Sequence, residues 1–282
     1  MGRLKKILII GGDERQNFIF NNLKSKGFDI SLCGLGGLNE NSRCCLSFDD
    51  YDILVLPMPI TKDSVAVNSP FSSEKYYLKD FFNLKDKTVF GGMFGTNFPK
   101  SFFENNRIYD YSKSENLIMY NAILTAEAAV AIAIKNSKRS LAFSNSLIIG
   151  NGRIGKSLSH ILLGFYTNIT VSARRDADFN SIKAQGLNSI HTDNIGKIIS
   201  KFDYIFNTVP SPVLTEKVIK TVNPDCLIID LASMPGGTDF EACKNLGIHA
   251  EHSLSLPGKF SPVSAANAIT DEIEKIIAQR LE

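Results

Sequence analysis

At two places in the chain a short apolar run ends in glycine and a helix follows. Lys5–Ile10 runs into Gly11-Gly12, and Leu147–Ile149 runs into Gly150. After each of these turns further apolar runs alternate with helical stretches. Strands separated by helices form a parallel sheet with helices on its faces. The chain is therefore predicted to be α/β, with two Rossmann-like, doubly wound lobes that have parallel sheets and are joined by a long helix.

The joining helix sets the predicted domain boundaries. Because Ala122–Ile134 is apolar nearly all round, we expect that part of the helix to be buried. The segment Leu256–Pro262 contains proline and glycine and should be irregular, and the amphipathic tail helix after it should pack back onto the N-terminal lobe. The predicted boundaries are 1–113 for the N-terminal lobe, 114–137 for the helix, 138–261 for the second lobe and 262–282 for the tail helix.

Composition and charge exclude several classes of function. The 282 residues carry a formal net charge of +2 without a cluster of five basic residues, so nothing favours a nucleic-acid partner. Thr125 and Glu127 interrupt the most apolar stretch, so no membrane span is expected. Five cysteines without a C-x-x-C pair and four scattered histidines give no zinc spacing. We expect a cytoplasmic protein without a metal, and no role for the adjacent Cys44 and Cys45.

The glycine pattern of the second lobe predicts a dinucleotide site. Gly150-Asn151-Gly152-Arg153-Ile154-Gly155 is G-x-G-x-x-G, placed directly between a strand and a helix. The first glycine allows a tight turn, the second lets a pyrophosphate approach the backbone, and the third allows close packing of helix on strand. The helix N-terminus offers free N–H groups to the anion. Because the pattern alone is a weak signal, its position carries the prediction, and a plain glycine turn is the alternative.

The end of the next strand predicts which dinucleotide binds. An NAD site usually has Asp or Glu about twenty residues after the glycines, where it accepts the ribose hydroxyls. Here Ser172-Ala173-Arg174-Arg175 occupies that place, and no carboxylate follows before Asp176. Two guanidinium groups match a 2′-phosphate. We therefore predict NADP, with Ser172, Arg174 and Arg175 at the site; a solvated arginine pair at a strand end is the alternative.

Two later loops should leave the same sheet edge. Ligands of doubly wound sheets lie outside the carboxyl ends of the strands. Asn207-Thr208-Val209-Pro210 ends one strand and is therefore expected at the cofactor. The next strand runs into a loop rich in glycine and proline, in which Ser233 is a candidate substrate ligand. The composition of that loop is also that of any sharp turn.

Several short motifs follow one another along nearly the whole chain: Gly11–Gln16, Leu56–Pro59, Tyr120-Asn121, Thr125–Glu127, Gly150–Gly155, Asn207–Pro210, Asp230–Phe240 and Leu256–Lys259. The Asp230–Phe240 motif, DLAS-x-PGGTDF, is far more specific than the glycine pattern. In these motifs the chain resembles a known family, the A subunit of dipicolinate synthase. Ser264-Ala265-Ala266 departs from the Thr-Ala-Gly expected there, which concerns only the packing of the last helix.

The resemblance implies an NADP-dependent oxidoreductase in the mother cell of a sporulating bacterium. Its substrate would be a dihydrodipicolinate or the hydroxylated tetrahydro precursor, and its product would be dipicolinate, the pyridine-2,6-dicarboxylate. Family members act with a B subunit that looks like a flavin-binding protein. A structural or regulatory NADP-binding subunit, whose partner carries the chemistry, is the alternative. A different NADP-dependent dehydrogenase of the same build is a third interpretation, and assembly into a homo-oligomer stays open.

A dianionic substrate requires cations in the cleft between the lobes. The candidates are Arg15, in the first glycine turn, and Lys259, in the loop that returns the chain from the second lobe; a solvated surface charge is the alternative for each. The N-terminus of the helix that begins near Asp13 also favours an anion. Asp13 is included among the substrate-binding candidates, although capping of that helix is its simpler role.

The candidate catalytic groups lie on the long helix. Burial within an apolar helix would raise the pKa of Glu127 toward that of a usable proton acceptor. Thr125 is the second catalytic candidate, although it lies about 200° from Glu127 around the helix and cannot share its face. Asn121 and Thr125, one turn apart, can share a face, and Asn121 is a candidate substrate ligand. A structural role for Glu127, as partner of the backbone or of an arginine, is the alternative.

Overall fold

The computed structural model describes residues 5–43 and 47–280. Cys44 and Cys45, for which no role is expected, lie outside the described residues. The chain divides into two compact units, one formed by Met1–Tyr120 with Ser261–Glu282 and the other by Asn121–Phe260.

The first unit is a five-stranded, all-parallel sheet with the strand order β2-β1-β3-β4-β5. Alternate residues of the interior strand β1 face different sides of the sheet: Ile7 and Ile9 belong to one apolar core, and Leu8 and Ile10 to another. The sheet is therefore buried on both faces, as a doubly wound lobe requires. Its elements are β1 (Lys6–Ile10), α1 (Glu14–Ser25), β2 (Asp29–Cys33), β3 (Ile53–Val55), β4 (Thr88–Gly91), α2 (Lys100–Asn105), β5 (Arg107–Asp110), the start of α3 (Glu115–Asn136), and α9 (Pro262–Arg280).

The tail helix α9 is part of the first unit and packs along α1. Ala266 and Ile273 of α9 lie in the same core as Ile19 of α1. At the surface the Lys26 ammonium lies 2.6 Å from a Glu274 carboxylate oxygen. The apolar stripe of α9 is thus covered by α1.

The second unit is a six-stranded parallel sheet with the strand order β11-β10-β9-β6-β7-β8. In it Ile148 of β6 faces one apolar core, and Leu147 and Ile149 face the other. The predicted fold class is confirmed. Its elements are β6 (Asn145–Ile149), α4 (Arg153–Leu163), β7 (Asn168–Ala173), α5 (Asp176–Ala184), β8 (Asn188–His191), β9 (Tyr204–Asn207), α6 (Glu216–Ile219), β10 (Leu227–Asp230), α7 (Phe240–Asn245), β11 (His249–His252) and α8 (Leu256–Phe260).

Two segments differ from the expectation drawn from the sequence. Leu256–Phe260 forms the short helix α8 rather than an irregular link, with Leu256 buried in the core of the second unit. The edge strand β8 has the sequence NSIH, whose single apolar residue gave no strand signal. It forms because β7 offers it a parallel partner, with Val171 opposite Ser189.

Helix α3 is long and apolar enough, by length and composition, to cross a membrane, contrary to the expectation that no stretch reaches that size. Half of its most apolar window is buried inside the protein, where Ala126, Ala129 and Ala133 belong to the core of the second unit. Ile123 and Ile134 lie on an exposed face of the same helix. The expectation of burial all round is therefore wrong for that face.

Candidate functional site

The glycine turn, the arginine pair and the Asn207 loop all leave one edge of the second sheet. Ile149, the last residue of β6, lies opposite Ser172 of β7 and opposite Asn207 of β9. Because parallel strands end together, the residues that follow them converge at the carboxyl edge, where ligands of such sheets bind.

The three glycines of the turn have three separate steric roles. Gly150 has a φ of +101°, and a Cβ there would lie 2.6 Å from the Thr208 hydroxyl oxygen. A Cβ on Gly155 would lie 2.1 Å from the Gly150 carbonyl oxygen, so this glycine lets helix and strand pack. A Cβ on Gly152, in contrast, would meet nothing within 4 Å.

The N-terminus of α4 is open at Gly152. Gly152 caps the helix with its backbone, and among the described residues no side chain caps the helix there. The first N–H groups of this 11-residue helix and the open space at Gly152 suit a pyrophosphate. The residues present therefore fit a dinucleotide, with Arg153 as the first residue of α4 and Ile154 packed against the core behind it.

The two arginines after β7 have different surroundings. The Arg175 guanidinium donates to both carboxylate oxygens of Asp178, from Nε at 2.7 Å and from Nη2 at 3.0 Å, and this bond lowers the pKa of Asp178. Asn151 lies on the other side of Asp178, with Nδ2 at 3.4 Å from the carboxylate. Arg174 lines a cavity of about 470 Å³. Arg175 is therefore already paired with a carboxylate, whereas Arg174 forms no ion pair among the described residues.

Two of the predicted cofactor ligands lie behind the site rather than at it. Ser172 is fully buried and accepts a 3.3 Å hydrogen bond from the Thr192 hydroxyl. Asn207 is also fully buried, and its amide bonds the backbone of Val209 in both directions, at 3.0 and 3.1 Å. Both expectations are corrected by burial: these side chains hold the loops in place.

The rest of the Asn207 loop stays near the surface. Thr208 is half-buried and donates its hydroxyl to the Ile149 carbonyl at 2.9 Å, which ties this loop to the end of β6. Val209 is half-buried and Pro210 is exposed. These three residues remain candidates for contact with a dinucleotide.

The loop after β10 folds around a buried carboxylate. Asp230 is fully buried and accepts hydrogen bonds from the backbone N–H groups of Ala232 and Gly237, both at 2.9 Å. The ring of His252 contacts the same loop, with Nε2 2.9 Å from the Ala232 carbonyl oxygen. Ser233 is left exposed on this loop, and Lys259 is exposed on α8. Asp230 and His252 thus hold the backbone of this loop in place, while the Ser233 side chain stays exposed to solvent.

In the first unit the glycine turn holds an ion pair at the start of α1. Asp13 caps the helix by accepting from the Arg15 N–H at 3.1 Å. The Arg15 side chain donates to the Asp13 carboxylate twice, each time at 2.8 Å, and to the Met58 carbonyl at 2.7 Å. Arg15 is therefore a buried, paired cation that fixes this turn, and Asp13 has the capping role.

Gln16, the next residue of α1, is 3% exposed, and its Nε2 atom has no hydrogen-bond partner among the described residues. A Cβ on Gly12 would lie 2.2 Å from Gln16 Cγ, so the glycine makes room for this side chain. An unpaired buried amide is costly, and a bound acceptor would remove the cost. The turn therefore offers a hydrogen-bond donor that was not predicted as a site residue from the sequence.

The candidates on α3 do not share one environment. Glu127 is exposed, so the burial on which its role as proton acceptor rested is absent. Thr125 and Asn121 are half-buried on one face, and the Thr125 hydroxyl donates to the Asn121 carbonyl at 2.7 Å. The helix therefore brings Asn121 and Thr125 together and leaves Glu127 apart.

Comparisons with known proteins bear on the motifs of this chain. Residues 6–111 match the model of the N-terminal domain of the dipicolinate synthase A subunit. The A subunit of dipicolinate synthase from Bacillus subtilis (strain 168) is 29% identical across 97% of this chain and 96% of its own length. The crystal structure of the A subunit from Bacillus halodurans superposes with a TM-score of 0.88 at 27% identity, over 99% of this chain and 100% of that one.

The resemblance is confirmed. Over nearly its whole length the chain is similar to dipicolinate synthase A subunits. The crystal structure of the A chain from Bacillus subtilis agrees, with a TM-score of 0.86 at 28% identity over 99% of this chain and 97% of that one. A transhydrogenase from Sinorhizobium meliloti, with a TM-score of 0.66 at 14% identity over 96% of this chain and 94% of that one, shares the fold.

The structure explains why parts of the DLASMPGGTDF segment have the residues they do. Its first residue is the buried Asp230, and Gly237 supplies one of the N–H groups that bind it. A Cβ on Gly237 would lie 2.4 Å from the Val209 carbonyl oxygen, so the segment also packs on the neighbouring loop. The sequence did not point to Asp230, Gln16 or Lys217 as site residues, although the first two lie in motifs named above; Lys217 lines the cavity beside Arg174. For Asp230 the sequence did carry a signal, because an aspartate stands at the end of the apolar strand β10.

Proposed function

We propose that this protein is an NADP-dependent oxidoreductase subunit that forms dipicolinate from dihydrodipicolinate or its hydroxylated tetrahydro precursor. The observation that carries the proposal is the open N-terminus of α4 at Gly152, in a chain similar over 97% of its length to a dipicolinate synthase polypeptide. A nicotinamide dinucleotide, when bound, supplies a hydride acceptor. The protein must hold this cofactor, bind two carboxylates, orient the ring and exclude water.

The second unit supplies the proposed cofactor ligands. The backbone of Gly150–Gly155 and the first N–H groups of α4 would hold the pyrophosphate, and Arg174 would hold the 2′-phosphate. Thr208, Val209 and Pro210 would contact the nucleotide from the loop after β9. Asn151 and Arg175 act through Asp178, which steadies the glycine turn.

We propose substrate ligands in both units. Each is inferred from its own hydrogen bonds and exposure. At the start of α1 the Gln16 amide is the donor without a partner among the described residues. The Arg15–Asp13 ion pair holds this turn in place, and the helix N-terminus there favours an anion. In the second unit Ser233 and Lys259 are exposed and free to bind a carboxylate, and Asn121 and Thr125 present a polar pair on α3. We retain Thr125 as an orienting hydroxyl, and we withdraw Glu127 as proton acceptor because its carboxylate is exposed.

The partner and the location belong to the same proposal. The relatives are A subunits by name, and we propose that this chain also acts with a B subunit, in the cytoplasm of a sporulating cell. The exposure of Glu127 favours a second candidate function, a cofactor-binding subunit whose partner carries the chemistry.

Incubation of the purified protein with freshly made precursor and either NADP or NAD tests the proposal. We expect dipicolinate to form only when a dinucleotide is present, and faster with NADP than with NAD at equal concentration. Binding of NADP without any dipicolinate, in the presence or the absence of a B subunit, would contradict the proposed activity.

A further inference from the structure

A cavity of about 470 Å³ opens at the carboxyl edge of the second sheet. Its walls come from segments that follow three different strands: Arg174 follows β7, Ile195 lies in the turn after β8, and Val213 lies in the loop after β9. The glycine turn leaves β6, which lies between β7 and β9 in the sheet. The cavity and the turn therefore share one edge.

The cavity combines apolar walls with cations. Ile195 and Val213 are buried beneath it and offer apolar surface. Arg174, Lys197 and Lys217 line it with exposed positive charges. Across residues 5–43 and 47–280 none of these three cations forms an ion pair.

One carboxylate also lines the cavity. It belongs to Asp193, whose Oδ2 lies 3.6 Å from His191 Nδ1. Three cations against this one acid leave the cavity positively charged. Apolar walls with a surplus of positive charge suit a flat heterocycle that bears an anionic group.

We infer that this cavity holds the adenosine end of the dinucleotide, and that Lys217 together with Arg174 selects for its 2′-phosphate. The inference rests on the proposed function, because it requires NADP as the cofactor. A phosphate dianion is best matched by more than one cation. Arg175 is bound by Asp178, so Lys217 supplies the second charge from α6, a helix outside the glycine pattern.

Binding of two nucleotide fragments tests this without any turnover. Adenosine 2′,5′-bisphosphate and 5′-AMP differ only in the 2′-phosphate, and both are titrated calorimetrically against the full chain. Lys217→Gln should weaken the bisphosphate about tenfold, the loss of one partly exposed charge-assisted contact, and leave 5′-AMP unchanged.

A matched control is available at Lys220, the C-cap residue of the same helix. Lys220 is 2.7 Å from Glu216 and does not line the cavity. Lys220→Gln removes the same charge from the end of α6 and should change neither affinity. If it weakened the bisphosphate as much as Lys217→Gln does, only the general charge of the helix would act, and the specific role of Lys217 would be overturned.

The outcomes separate the inference from the proposed function. If the wild-type protein bound the two fragments equally well, the assignment of NADP would be wrong. If the wild-type protein preferred the bisphosphate and Lys217→Gln kept the full preference, or lost both fragments equally, the inference alone would be overturned.

Discussion

Gly155 packs against Gly150 so closely that a Cβ at residue 155 would lie 2.1 Å from the Gly150 carbonyl oxygen. Three residues earlier, a Cβ at Gly152 would meet nothing within 4 Å. The first glycine is required by the fold, since its neighbour is backbone that cannot turn aside. Gly152 is not required by the packing of the protein, which leaves room for a side chain there, so we propose that it makes room for a ligand.

Alanine at Gly155 should therefore affect mainly stability, and alanine at Gly152 mainly dinucleotide binding. Gly155→Ala should lower the free energy of unfolding by about 1–3 kcal/mol, the usual cost of overpacking. Gly152→Ala should cost less than about 1 kcal/mol, as at a helix start, but should weaken dinucleotide binding at least about tenfold. Urea unfolding and nucleotide titration measure the two effects. Equal losses of stability would contradict the separate roles.

The two arginines after β7 should not contribute equally to cofactor choice. Arg174→Gln should weaken NADP about tenfold and leave NAD unchanged, because only NADP carries the phosphate. Arg175→Gln should change either affinity by less than about threefold, since Asp178 already binds that guanidinium at 2.7 Å. Parallel titrations of both nucleotides provide the measurement. A larger loss of NADP from the Arg175 variant would reverse the assignment.

The ion pair at the start of α1 should make stability depend on pH. Burial by itself raises the pKa of Asp13, but the hydrogen bond and charge of Arg15 outweigh it and hold this pKa below its usual value. A carboxyl with a lowered folded-state pKa stabilises the protein above its unfolded pKa of about 3.9 and loses that contribution as the pH falls through the folded value.

The variant Asp13→Asn isolates this contribution. The wild type should be more stable than the variant at pH 7, and the difference in free energy of unfolding should shrink as the pH falls below about 4. Urea midpoints at a series of pH values provide the comparison. A difference that stayed constant down to about pH 2 would mean that the Asp13 charge makes no contribution.

The buried Asp230 should be critical for the loop after β10. Asp230→Ala leaves the N–H groups of Ala232 and Gly237 without their acceptor, which should cost about 2–4 kcal/mol of unfolding free energy. Asp239→Ala, which removes an exposed cap of α7, should cost only about 1 kcal/mol. Limited proteolysis should cut the loop 231–239 faster in the first variant. Equal cutting in both would argue against the anchor.

The carboxyl edge of the second sheet could be predicted from the sequence because glycine spacing reports backbone geometry directly. Gly150, Gly152 and Gly155 each have the steric surroundings that the pattern implies. The directions in which side chains point were harder to predict from the sequence. Arg175 turns to Asp178, three residues along the chain, and this choice of rotamer depends on the start of α5.

Helix α3 shows a second limit. A helix that is apolar nearly all round gives no stripe from which to read its buried face, so the position of Glu127 on the exposed side could not be derived. Lys217 shows a third, because only the strand order places α6 at the edge that carries Arg174. The exposed position of Glu127 and the position of Lys217 beside Arg174 both depend on long-range packing, which the local sequence pattern does not encode.

A stoichiometric single turnover decides whether this chain carries the redox step itself. The purified protein, without any B subunit or flavin, is mixed with NADP and freshly made precursor while the absorbance of reduced nicotinamide and the dipicolinate formed are both followed. We expect one equivalent of NADPH for each dipicolinate. Dipicolinate that appeared only after addition of the B subunit, without NADPH, would contradict the proposed role of this chain.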